Sequence, residues 1–332
     1  MTRTGGGERV FDSAETVYYN VGVFAFAKGW SAPSPGAAPV ASAVPVNAPL
    51  SARAGTSLAL EGVSLSVEAR GTTVEILRDV SLHVTAGEFV CLLGPSGSGK
   101  STVLNLIAGF AKPTQGCVRR GGQVVDSPGP DRAVVFQDAA LFPWLTLQQN
   151  IEFPPKLQGA SREARLAKSE ELLRLVHLWR FRDRYPHELS GGMRQRGAIA
   201  RGLATDPAVL LMDEPFAALD AQTREILQGE VERIWRATRK TVIFVTHNVR
   251  EAVRLADRVV LMGTRPGRVL HEEMIDLPRP REANDARVSA LANGISHRIA
   301  SEVEKVAREE ADDAWVAPGA APDPRRQRGR GI

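Results

Sequence analysis

The sequence is short of cysteine, of aromatic residues and of long uninterrupted apolar runs, and each shortage excludes a class of protein. Two cysteines, Cys91 and Cys117, in 332 residues cannot form a disulfide framework. Cys91 sits inside an apolar run, so both read as buried free thiols in a reducing cytoplasm. Aromatic residues make up 6% of the chain. The longest membrane candidate, Val17 to Ala27 ("VYYNVGVFAFA"), has about half the length of a spanning helix and contains Asn20. It also lacks the basic start and cleavage pattern of a secretory signal, so any work at a membrane is expected to be peripheral. Charge of one sign is scarce as well: 42 Lys and Arg against 38 Asp and Glu leave a formal charge of +4. Much of that excess lies in Arg325, Arg326, Arg328 and Arg330, which read as a solvated end rather than a nucleic-acid arm.

What remains is ordinary for a globular protein, with 43% apolar and 24% charged residues. The length suits two domains, or one large α/β domain with tails. Residues 31 to 56 are rich in Ala, Pro and Ser without any period, and such a segment buries too little apolar surface to offset its chain entropy. From Ala317 the composition is again Ala, Pro and Arg. The expected organisation is therefore a disordered or low-complexity extension at 1–56, a folded unit at 57–310 and a disordered basic tail at 311–332.

Inside the folded unit stand two glycine-rich stretches, "GPSGSGKST" (Gly94–Thr102) and "LSGGMRQR" (Leu189–Arg196). The first follows a fully apolar run, Phe89 to Leu93, suited to a strand buried on both faces. Leu104, Ile107 and Ala108 follow at helical spacing, and Gly109 stands where a helix would stop. This is the strand–loop–helix context that a G-x-x-x-x-G-K-[ST] phosphate loop requires. Gly94, Gly97 and Gly99 let the backbone curl so that consecutive N–H groups face one anion, and Pro95, Ser96 and Ser98 complete the curl. The helix N-terminus behind it adds partial positive charge. Lys100 is expected to reach the β- and γ-phosphates, and the Ser101 hydroxyl, next to Thr102, to ligate Mg²⁺.

A phosphate loop needs an acid to hold its metal. Val209 to Met212 is a second apolar run, and it leads to Asp213 and Glu214. A buried strand ending in acids sets them at the carboxyl edge of the sheet, where open α/β folds bind ligands. Asp213 is predicted to hold Mg²⁺, mostly through water. Glu214 is predicted to orient or deprotonate the attacking water. A third run, Val242 to Val245, ends at Thr246 and His247, whose neutral imidazole is suited to the γ-phosphate or the water. A fourth, Ala133 to Phe136, ends at Gln137, whose amide is suited to sensing the metal or the water.

The second glycine stretch follows no strand. It follows the helical "SREARLAKSEELLRLVHLWRF", with Leu172, Leu173, Val176 and Trp179 as one apolar stripe, and opens the helical "MRQRGAIARGLA". Ser190, Gly191 and Gly192 therefore lie before a helix, again an anion-binding position. Their place in a helical insertion favours binding the γ-phosphate of a second copy's ATP in a head-to-tail dimer. The plain alternative is a helix N-cap with two flexible glycines.

Taken together, residues 58 to 280 resemble the nucleotide-binding subunit of an ATP-binding-cassette (ABC) transporter. The phosphate loop Gly94–Ser101, Gln137, the signature Leu189–Gln195, the Asp213–Glu214 pair, the "ALD" loop Ala218–Asp220 and His247 occur in the family's order. The resemblance implies an α/β fold: a P-loop core with a mostly parallel sheet, an antiparallel β subdomain and a helical signature subdomain at about 140–200. It further implies two copies sandwiching two ATPs with Mg²⁺, Glu214 as catalytic base, and hydrolysis that resets a membrane permease. The protein would sit peripherally at the cytoplasmic face of the inner membrane, with an extracytoplasmic solute-binding protein as an indirect partner and no nucleic acid. The stretches "GPDRAVVFQDAALFPWLTLQQNIEF" and "FVTHNVREAVRLADRVVLM" are similar to importers of nitrate, aliphatic sulfonates and taurine. In that family the segment matching Leu141–Leu147, with the helical insertion, contacts the permease.

Three features depart from the family pattern. The stretch Ser66–Thr73 carries no aromatic residue to stack on adenine, Val67 taking that place, which predicts weaker and less base-selective nucleotide binding. Asn248 stands where aspartate is common, and Gly197 and Gly202 interrupt the signature helix at up to ~1 kcal/mol each. Two rival functions remain: a non-transport ATPase of the same fold acting on nucleic acid or the ribosome, and a regulatory nucleotide-binding module without turnover.

Overall fold

The structure is a computed structural model that describes residues 54–69, 72–282 and 285–314. The Val17–Ala27 run, most of the predicted 1–56 extension and the arginine cluster of the tail lie outside the described residues. The apolar runs Phe89–Leu93, Val209–Met212 and Val242–Val245, and Ala133–Val135 of the fourth, lie in strands. In chain order the strands are β1 (Leu58–Ala69), β2 (Thr72–Val84), β3 (Phe89–Leu93), β4 (Gln115–Arg120), β5 (Gln123–Val124) and β6 (Arg132–Val135). They continue with β7 (Val209–Asp213), β8 (Thr241–Thr246), β9 (Arg258–Gly263) and β10 (Arg268–Met274). The helices are α1 (Lys100–Ala108), α2 (Leu147–Leu157), α3 (Arg162–Leu175), α4 (Gly191–Leu203), α5 (Ala221–Thr238), α6 (Val249–Leu255) and α7 (Ala286–Ala314).

Two sheets result. One is antiparallel, in the order β2-β1-β4-β5; the other has the order β10-β9-β3-β8-β7-β6. In the second sheet β9, β3, β8, β7 and β6 run parallel, and β10 is an antiparallel edge. The mostly parallel core and the antiparallel β subdomain are thus both present. The sheets touch at an isolated bridge between Leu77 and Gly267.

Strand periodicity divides the interior in two. Along β3 the side chains of Phe89, Cys91 and Leu93 enter one core, with residues of α2 to α7. Val90 and Leu92 enter the other, with Val103, Leu104, Leu106 and Ile107 of α1 and the antiparallel sheet. Strands β7 and β8 alternate in the same way. All five β3 residues are buried, as the unbroken apolar run requires.

The structure differs from the sequence reading at several points. The stripe from Leu172 to Trp179 is not one helix. α3 ends at Leu175 because His177 adopts a left-handed φ of +56°. The Leu178 N–H then donates back to the Leu173 carbonyl at 2.7 Å, closing the helix without a glycine. Trp179 falls in a short 3₁₀ turn, between the guanidinium groups of Arg174 and Arg182 at 4.9 and 4.6 Å from its ring. Cys91 is buried as expected, but Cys117 is half-buried, its Sγ 3.2 Å from Glu61. Ordered contacts begin before residue 57, with the Gly55 N–H donating to the Arg239 carbonyl, and α7 runs past 310. No helix among the described residues is long and apolar enough to cross a membrane.

Candidate functional site

Strand order explains how distant motifs meet. β8 lies between β3 and β7, with Leu93 opposite Thr246 and Val245 opposite Asp213. The phosphate loop, His247 and the acid pair therefore leave three adjacent strands at one sheet edge.

The loop after β3 is shaped by close approach as much as by backbone freedom. A Cβ at Gly94 would lie 2.5 Å from the Met262 carbonyl oxygen of β9. Gly99 needs its left-handed φ of +79°, and a Cβ there would lie 2.5 Å from Leu77 Cδ2. Gly99 is also the N-cap of α1, and no side chain caps that helix. The first-turn N–H groups thus have no side-chain acceptor, which is what an anion at a helix N-terminus uses. Ser98 is buried, Ser96, Gly97 and Ser101 are exposed, and Pro95 and Thr102 are half-buried. Lys100 is buried and donates from Nζ to the carbonyls of Gly94 (2.9 Å) and Pro95 (2.8 Å) and to Ser98 Oγ (3.3 Å). Burial lowers its pKa, against the opposing pull of Glu214 and Asp213.

The acid pair splits in two directions. Asp213 Oδ1 accepts from Ser101 Oγ at 3.0 Å. Burial raises the Asp213 pKa, and the neighbouring Glu214 adds to that, while Ser101 and Lys100 oppose it. Glu214 adopts a left-handed φ of +44°, and its N–H donates to the Val245 carbonyl at 2.9 Å. From this turned backbone its Oε2 stands 2.9 Å from Nδ1 of the exposed His247. A non-glycine residue held in that region is a strained conformation of the kind concentrated at functional sites. Sequence reasoning found the two residues but neither the turn nor the carboxylate–imidazole contact. Asn248 N-caps α6, its Oδ1 accepting from the N–H groups of Arg250 and Glu251, a role an aspartate would fill equally.

Gln137 lies just beyond the end of β6 and is exposed. With Asp213, Gly191, Gln195, Ala218 and Leu219 it lines a groove of about 560 Å³, which no residue of the phosphate loop lines. Ser190 N-caps α4, its Oγ accepting from the Met193 N–H at 3.3 Å, and Gly191 and Gly192 form the first turn. The structure therefore brings Lys100, Ser101, Asp213, Glu214 and His247 into one cluster and joins Gln137 and Gly191 to Asp213 across the groove. Val67 pairs with Val74 across the β1–β2 hairpin, and both are exposed.

No group of three or more His, Cys, Asp and Glu suited to a metal occurs among the described residues. A hydroxyl and one half-buried carboxylate 3.0 Å apart nonetheless fit Mg²⁺, which takes most of its ligands from water and phosphate.

Fold and site together define a P-loop nucleotide-binding core with a helical insertion. A family model described as ABC transporter matches residues 77–217. A nitrate import ATP-binding protein of Synechocystis is 50% identical over 213 residues, spanning 64% of this chain and 80% of that protein. A taurine import ATP-binding protein of Jannaschia is 45% identical over 232 residues, spanning 70% and 86%. Among solved structures, a dimeric ATP-binding cassette bound to ADP and Pi aligns with a TM-score of 0.59 and 34% identity, over 67% of this chain and all of that one. The chain belongs to the ABC transporter ATP-binding proteins, and it is an ATPase of that type.

Proposed function

We propose that this ATPase powers an importer, driving uptake of a small anionic solute of the nitrate, sulfonate or taurine type through a separate membrane permease. The names of the two import relatives support the solute class; the ATPase would sit peripherally at the cytoplasmic face of the inner membrane, beside its permease. Residues 57–310 would form the cassette, with a helical subdomain at about 140–200, its ordered part reaching back to Gly55 and on to the end of α7; the rest of 1–56 and of 311–332 would be appendages. Trp144 is 65% exposed and packs on Phe142 at 5.4 Å between ring centroids, an apolar surface suited to permease helices. An extracytoplasmic solute-binding protein would deliver the solute to the permease and touch this chain only through it.

The observation that carries the catalytic reading is the Glu214–His247 contact beside the Ser101–Asp213 pair. Gly94 to Thr102 cradle the phosphates through backbone N–H groups, and Lys100 exchanges its loop carbonyls for phosphate oxygens. Ser101, Asp213 and Gln137 would hold Mg²⁺, which would neutralise charge on the phosphates. Glu214 takes the proton of the attacking water, and His247 fixes that carboxylate while facing the γ-phosphate. Ser190, Gly191 and Gly192 complete the site of a second copy, a reading consistent with a related cassette being dimeric.

The test uses the full chain with Mg²⁺-ATP. Wild type is expected to hydrolyse ATP, and Glu214→Gln to lose turnover by about 10²-fold or more while accumulating as an ATP-bound dimer on size exclusion. A wild-type chain that binds ATP without turnover or dimerisation would overturn the proposal in favour of a regulatory module.

A further inference from the structure

Arg201 of α4 is 4% exposed and has no carboxylate within ion-pair distance among the described residues. Burial pulls its pKa down to about 10, so it remains a cation near neutral pH. A buried charge without a counter-ion is costly unless other acceptors surround it. Here Nη1 donates to the Ala140 carbonyl at 2.7 Å and Nη2 to the Ala139 carbonyl at 3.4 Å. The guanidinium also stands 5.6 Å from the ring centroid of Phe142. Ala140 takes a left-handed φ of +46°, and this turn presents two consecutive carbonyls to one fork. On the other side of Gln137, the buried Gln195 donates from Nε2 to the Phe136 carbonyl at 3.1 Å. One helix thus grips the chain both before and after Gln137, whose own side chain stays exposed at the groove.

We infer that Arg201 and Gln195 are positioning residues that fasten the Gln137 loop to the signature helix, so that Gln137 at its own chain's nucleotide and the Ser190–Gly192 end of α4 at the second copy's nucleotide move as one body. The inference rests on the role assigned to Gln137 above. Neither residue touches the phosphate loop, so their loss should disturb the hydrolytic step and spare nucleotide binding. Lysine at 201 keeps the charge but lacks the planar fork that holds two carbonyls at once.

The experiment is a double-mutant cycle on the full chain, reading kcat and KM for Mg²⁺-ATP in wild type, Gln137→Ala, Arg201→Lys and the double variant. Arg201→Lys is expected to lower kcat about tenfold with KM within about twofold, and to add nothing once Gln137 is alanine. Losses that multiply, or a kcat and KM that move together with melting temperature, would show a merely structural role and overturn the inference. Should Arg201→Lys fail to fold, Gln195→Ala carries the same cycle with the same expectations. A wild-type chain without turnover removes the ATPase reading itself, whereas an active wild type with independent losses removes this inference alone.

Discussion

The two glycine-rich loops are spelled alike and built differently. The phosphate loop ends in Gly99, a left-handed N-cap with no side chain to offer, so the first turn of α1 keeps its donors for an incoming anion. The signature loop ends in Ser190, an extended N-cap whose hydroxyl already accepts the Met193 N–H. The first takes left-handed φ at Gly97 and Gly99 and is closely approached by Met262 and Leu77; the second keeps ordinary φ, though a Cβ at Gly192 would lie 2.6 Å from Thr223 Cγ2. A loop that binds within its own chain is shaped before the ligand arrives, while one that serves a neighbour needs only to be presented.

That contrast breaks most visibly at Gly99. Alanine there would face both the left-handed strain of ~1–2 kcal/mol and the contact with Leu77. ATP affinity by calorimetry should fall by more than about tenfold, with melting lowered by roughly 2–8 °C. An alanine variant that bound ATP normally would mean the loop is as relaxed as the signature. Ser190→Ala should cost ~1 kcal/mol of stability as the cap is lost. In the same variant, ATP affinity at concentrations too low for dimers should stay within about twofold, while the ATP-bound dimer of Glu214→Gln should no longer form. If affinity fell instead, the signature would serve its own chain's nucleotide. The smallest effect separates the two glycines within the signature helix. At Gly202 a Cβ meets ordinary contacts beginning at 3.5 Å, so Gly202→Ala should raise the melting temperature by about 2–4 °C. At Gly197 a Cβ would lie 2.6 Å from Leu147 Cδ1, and Gly197→Ala should give no such gain.

What was legible in the sequence was what local pattern encodes. Apolar runs marked β3, β6, β7 and β8, and the polar groups following them converge because those strands lie side by side. Gly109 did stop α1, in the left-handed conformation that glycine supplies. What was not legible depends on residues far apart in the chain or on backbone that no residue type announces. His177 ends α3 and Glu214 turns between two strands, both at positive φ without glycine. Gly94 is small because Met262 passes it, and Arg201 is a buried cation because Ala139 and Ala140 turn their carbonyls to it. Gly197 and Gly202 look identical in the sequence, and Leu147 alone distinguishes them.

The position of β3 in its sheet also sets a schedule. Both of its neighbours come late: Phe89 pairs with Val242 of β8, and Val90 with Arg258 of β9. At ~5–20 residues added per second, the ribosome releases β3 on the order of ten seconds before either partner exists. For that interval Phe89–Leu93 is an unpaired apolar segment in a nascent chain, the kind of surface that chaperones shield. A chain cut short before Thr241 would carry every residue of the phosphate loop and have neither neighbour to pair its strand, so the loop is among the earlier motifs to be translated and among the later ones to take its shape.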